Sequence, residues 1–181
     1  MRHILFTLLL TLALAANALA GGFALNSPDL RDGGTVAPAQ VLNGFGCTGA
    51  NVSPALAWTD PPAGTKSLAL TVYDPDAPTG SGWWHWVVFN IPASARALPS
   101  GAGSGKAALP AGAVQSRTDF GAPGYGGPCP PPGKPHRYVF TLFALDVERL
   151  DLQPDAPAAM VGFNLNAHAL GTASLTATYG R

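Results

Sequence analysis

Along residues 67–73, SLALTVY, Leu68, Leu70 and Val72 alternate with Ala69, Thr71 and Tyr73, the two-residue period of a β-strand. Residues 84–91, WHWVVFNI, and 137–145, RYVFTLFAL, are apolar at most positions. Such runs predict central strands covered on both faces. Shorter strands are expected at 55–58, near Val36 and at 174–179. Glycine and proline punctuate the rest and helical periods are scarce, so the pattern predicts a mainly β domain. One helix is expected near the C-terminus. Asp155 can cap it, Pro157 fits its first turn, and Gly171 can end it. Met160, Phe163, Asn164, Ala167 and Leu170 recur at helical spacing, and this stripe is expected to pack against the sheet.

Two segments carry neither period. Residues 99–112 read as an exposed, mobile Gly/Ala/Ser loop. Residues 121–135, GAPGYGGPCPPPGKP, hold eleven glycines and prolines in fifteen positions. Proline restricts φ and glycine permits close backbone approach, so this segment is no strand and need not be floppy.

The 181 residues suffice for one domain with a substantial core. The first twenty, MRHILFTLLLTLALAANALA, form a short polar start, an apolar run and an Ala-Leu-Ala end. That is the pattern of a secretory signal cleaved after Ala20, and an uncleaved anchor is the competing reading. Residues 21–181 are then a single exported domain, periplasmic or secreted, with no later run long and apolar enough to cross a bilayer. Ten basic residues less Arg2 leave nine against ten acidic. A near-neutral balance gives no electrostatic footprint for nucleic acid or an anionic membrane surface. Two cysteines, Cys47 and Cys129, remain. In an oxidising compartment an even count predicts a disulfide.

Three histidines follow the leader: His85, His136 and His168. His85 closes DPDAPTGSGWWH and His136 opens HRYVF after the Gly/Pro segment, both where loops enter apolar strands. If those two strands are neighbours, Asp74, Asp76, His85, His136 and Tyr138 line one cleft with proline and tryptophan walls. Several chemistries compete for it. A divalent metal lacks a supporting H-x-x-x-H or H-E-x-x-H spacing, and none is expected. Asp74 and Asp76 are too close in sequence to flank a scissile bond as acid and base. Serine catalysis lacks G-x-S-x-G. A bland reading makes the aspartates turn formers and the tryptophans and histidines core. Anion binding uses charged imidazoles, a tyrosine hydroxyl and backbone N–H groups as donors. The aspartates would then orient the histidines, or receive the cationic end of a zwitterion such as phosphoethanolamine. Trp83 and Trp84 could serve a partner, a lipid tail or the core.

The run DPDAP, then HWVVFNIPA, then GGPCPPPGKPHRYVFTLFAL resembles the phosphatidylethanolamine-binding protein family, in its bacterial Raf kinase inhibitor-like branch. GANVSPALAWTDPPAGTKSLAL and the ending SLTATYGR match that branch as well. The resemblance implies a two-sheet β-sandwich with a few peripheral helices. It implies an anion pocket formed by Asp74, Asp76, Pro78, His85, Gly127, Pro128, His136 and Tyr138, with a cis bond at Pro78. No nucleophile, base and oxyanion site assemble in the sequence, so neither enzyme activity nor a cofactor is expected, and the pocket is read as binding a small anionic or phosphorylated ligand, such as a phospholipid head group. The alternative is a regulator that inhibits a partner protein, a kinase or hydrolase, through the pocket rim. Eukaryotic members carry a long charged segment where this chain has TGSGWW, so their kinase-inhibiting surface is not implied here. His168 either faces the pocket or is an exposed helix residue.

Overall fold

The computed structural model describes residues 22–181, and the predicted signal lies outside them. The strands are β1 (Ala24–Asn26), β2 (Asn43–Gly44), β3 (Cys47–Thr48), β4 (Leu56–Thr59), β5 (Ser67–Asp74), β6 (Trp83–Pro92), β7 (Ala97–Leu98), β8 (Val114–Gln115) and β9 (His136–Leu145). Helix α1 (Ala158–His168) and strand β10 (Ala169–Tyr179) follow. A five-stranded antiparallel sheet has the order β10-β9-β5-β6-β8, and a smaller sheet has the order β1-β4-β7. The fold is mainly β, as the sequence predicts.

Each face of the large sheet meets its own apolar layer. Leu68, Leu70 and Val72 of β5 pack with Trp86 and Val88 of β6 and with Leu56, Trp58 and Leu98 of the smaller sheet. On the other face Ala69, Val87 and Phe89 pack under Ala158, Val161 and Leu165 of α1. Two covered faces explain why β6 reads as one continuous apolar run. β9 is covered less completely: Tyr138, Phe140, Leu142 and Ala144 are buried, while the residues between them are mostly half-buried. The segment near Val36 forms a single parallel bridge, Thr35 to Thr178, instead of a strand.

The helix departs from expectation. It starts at Ala158 behind Pro157, with no side-chain cap from Asp155, and Leu170 and Gly171 belong to β10. Ala158, Val161 and Leu165 seat it, whereas Met160 and Phe163 are exposed. The helix is apolar nearly all round, so the sheet takes the stripe with the smaller side chains, about 150° away from the one read in sequence. The loop 99–112 is exposed or half-buried except at one turn. Gly101–Gly103 are buried, because Ser53 accepts from Gly101 N–H through its carbonyl and from Gly103 N–H through its hydroxyl, 2.8 Å each.

The β2–β3 hairpin is tied to the Gly/Pro segment by a Cys47–Cys129 disulfide that spans 82 residues of sequence. A closed loop of that size contributes about 4 kcal/mol on a chain-entropy account. The bridge clamps one wall of the site described next.

Candidate functional site

Asp74, His85, His136 and Tyr138 meet where β5 ends and β6 and β9 begin. β5 lies between β6 and β9, so those two strands are not neighbours; β5 supplies Asp74 between the two histidines. His136 and Tyr138 lie two apart on β9 and share a face. Asp74 lies two after Val72, which faces the sandwich core. His85 needs a different device. The β5–β6 register passes from Val72 opposite Trp86 to Tyr73 opposite Trp84, skipping His85. A bulge re-aims a side chain, as bulges beside functional sites do. It brings the His85 ring edge-on to Tyr138, 5.0 Å between centroids. Trp84 turns to the helix side, against Tyr73.

The four side chains line a cavity of about 230 Å³. Pro78, Pro130, Pro131 and Cys129 supply rigid wall, and Trp83, Phe120 and Phe45 an aromatic one. Phe120 lies edge-on to both His85 and Trp83 and stacks against Phe45. No lysine or arginine is among the described lining residues.

Asp74 is 3% exposed, and both its oxygens are engaged. Oδ1 accepts from Asp76 N–H at 2.8 Å, and Oδ2 accepts from His136 Nδ1–H at 2.8 Å. A carboxylate on Nδ1 fixes the ring's orientation and leaves Nε2 as the atom His136 can offer. His85 Nδ1–H donates to Gly126 O at 2.7 Å, and Gly126 N–H returns a bond to His85 O at 2.9 Å. Burial pushes the His85 pKa below its ordinary value, against smaller opposing effects of the Gly126 carbonyl, Asp74 and Asp119. The charged imidazole expected here is therefore disfavoured by desolvation. Tyr138 is 1% exposed and its hydroxyl has no hydrogen-bond partner among the described residues. Burial pushes its pKa up.

The other sequence candidates stand further off. Asp76 lies outside the lining and orients no histidine. Its carboxylate takes Arg137 Nε at 2.9 Å, Nη2 at 2.7 Å and backbone N–H at 2.9 Å. The guanidinium holds its pKa at about 2. Gly127 and Pro128 lie behind the lining. A side chain at Gly127 would overlap the Gln40 carbonyl, and Pro128 packs with Val72 and Phe140 under Tyr138. The cis bond expected at Pro78 is absent. A γ-turn closed by Thr79 N–H on Ala77 O reverses the chain there with the intrinsically favoured trans bond. His168 bonds Asp146 beyond the other end of β9, away from the cavity.

The sequence reading missed Phe45, Phe120 and Asn51. Phe45 sits at the tip of the β2–β3 hairpin with φ 50° and 71% exposure. Asn51 Oδ1 accepts from Gly127 N–H at 2.8 Å, and its amide donates to Tyr125 O at 3.2 Å. It thereby holds the backbone on both sides of Gly126. No periodicity marks these residues, although Asn51 falls in the quoted GANVSP.

A family model for phosphatidylethanolamine-binding protein matches residues 26–180. The chain belongs to the phosphatidylethanolamine-binding protein family. The UPF0098 protein YbhB of Escherichia coli K12 is 59% identical over 86% of this chain and 98% of its own length. YbcL of the same organism is 50% identical over 90% of each chain. The crystal structure of YbcL, described as a member of the mammalian family, superposes with a TM-score of 0.85 over 88% of this chain and 98% of that one. A relative in Mycobacterium tuberculosis, LppC, carries a lipoprotein name; it is 39% identical over 84% of this chain and 70% of its own. Family membership fits the mainly β architecture and the bacterial branch.

Proposed function

We propose that this family member is an exported binding protein for a small anionic or phosphorylated ligand, a phospholipid head group being one candidate. Tyr138 carries the reading. A buried phenol in the cavity lining, its hydroxyl without a hydrogen-bond partner among the described residues, costs about 1–3 kcal/mol until an acceptor reaches it. An oxyanion supplies that acceptor. The mostly apolar walls with a few converging polar groups suit a small ligand. Binding is favoured over covalent catalysis, because Cys129 is bridged, the Thr79 hydroxyl is spent on Gly82 O and burial keeps Tyr138 neutral. The disulfide supports export to an oxidising compartment.

Calorimetric titration with phosphate and with phosphoethanolamine tests the reading. The His85→Ala/His136→Ala variant should lose at least about tenfold in affinity; unchanged affinity would remove the pocket from consideration. Regulation of a partner through the rim is a second reading, and exposed Phe45 favours it. Capture of a periplasmic protein by wild type, lost on Phe45→Ala, is its test.

A further inference from the structure

We infer that the pocket selects a ligand that carries its own hydrogen-bond donor beside its anionic oxygens, and discriminates against oxyanions that have none. The inference rests on the binding reading above and names the ligand chemistry within it.

His85 sets the rule. A carbonyl oxygen can only accept, so the 2.7 Å contact with Gly126 O places the ring hydrogen on Nδ1. The neutral ring then turns a bare Nε2 lone pair toward the ligand. This polarity is braced by the backbone. Gly126 N–H returns a bond to the His85 carbonyl, and the Asn51 side chain bonds the residues on both sides of Gly126. The ring cannot rotate to exchange its nitrogens without breaking the Gly126 bond. Charging the ring instead meets resistance from its surroundings. His85 is 4% exposed, between the rings of Phe120 and Tyr138. The titratable groups around it are Asp74 of β5, Asp119 of the loop after β8, and His136 and Tyr138 of β9. The Asp74 oxygens hold Asp76 N–H and His136, and Asp119 holds Trp84 N–H. Burial outweighs both carboxylates in setting the His85 pKa.

The cavity lining therefore holds a buried, unpartnered hydroxyl donor at Tyr138 and an acceptor at His85. An oxyanion without a hydrogen satisfies the first and sets its own lone pairs against the second. A P–OH group satisfies both, and so does a zwitterion whose ammonium reaches Nε2.

Phosphate and sulfate near pH 8 isolate the rule. Both are tetrahedral and mainly dianionic, but only phosphate retains a hydrogen. Phosphate should bind about tenfold tighter, the equivalent of one buried hydrogen bond. Equal binding, or tighter sulfate, overturns the inference and leaves the anion pocket standing. Binding of neither ion overturns the pocket itself and the rule with it. At the same pH phosphoethanolamine compared with methyl phosphate separates the two donor sources, since only the ammonium of the former can donate. Tighter phosphoethanolamine assigns the donor to a zwitterion as well as to P–OH; equal binding restricts it to P–OH. His85→Ala, which removes the Nε2 lone pair, should erase the phosphate preference. A preference that survives in this variant, shown folded by its thermal transition, also overturns the inference.

Discussion

Two aspartate–histidine pairs stand beyond opposite ends of the same strand. His136 opens β9 and bonds Asp74 at 2.8 Å; Asp146 follows β9 and bonds His168 at 2.9 Å. The contacts are the same Nδ1–carboxylate bond, and their surroundings are not. The first pair has side chains 12% and 4% exposed, the second 37% and 52%. At the buried end the other Asp74 oxygen is spent on the Asp76 backbone, and His136 lines a cavity. At the open end water competes for every lone pair. A carboxylate on an imidazole therefore does not define a site; desolvation and an adjoining cavity do.

The widest gap between the pairs should appear on removing the carboxylates. Asp74→Ala orphans a buried imidazole N–H and the Asp76 N–H, and should lower unfolding free energy by about 3 kcal/mol. Asp146→Ala should cost under about 0.5 kcal/mol. Urea melts of the two variants measure both. Similar losses would mean that burial does not separate the pairs.

Asp76 and Arg137 provide an intermediate case, with side chains 30% and 58% exposed. The guanidinium lowers the Asp76 pKa from 3.8 to about 2. A depressed folded-state pKa means that the unfolded chain binds the proton first as pH falls. The contribution is complete above about pH 4 and is lost as pH falls through about 2. Solvent screening reduces it to about 1 kcal/mol at most. Asp76→Asn should remove that part of the acid sensitivity. An acid limb identical to wild type would show that the pair contributes nothing measurable.

How far this contrast could be read from sequence depends on which forces encode it. The long strands were legible, because two covered faces write continuous apolar runs at 84–91 and the β period places His136 with Tyr138. The disulfide was legible from the cysteine count and the predicted leader. His85 was legible as a candidate but not in its direction, since its inward turn comes from a bulge that exists only in the pairing with β5. The same holds for β5 lying between the two histidine strands. Asp76 looked equivalent to Asp74 until Arg137, sixty-one residues away, took both of its oxygens. The helix face was misread because α1 is apolar nearly all round, so period alone names no side. Phe45 left no signal, because an exposed aromatic at a hairpin tip belongs to neither a core stripe nor a turn rule.

The smallest effect concerns the exposed pair alone. His168 stands in the last turn of α1, beside the helix carbonyls, and its ring bonds Asp146 in a solvent-screened pair. His168→Ala should therefore cost about 0.5 kcal/mol at low ionic strength. In about 1 M salt the Debye length shrinks to roughly 3 Å, and most of that cost should vanish. The desolvated pair at Asp74 should keep its cost under the same salt, since ions do not enter the space between His136 and its carboxylate. Denaturation of His168→Ala and Asp74→Ala at both ionic strengths makes the comparison within one protein. A salt response shared by the two would mean that the cavity end is as open to water as the helix end, and the pocket would then lose the low-dielectric setting on which its selectivity depends.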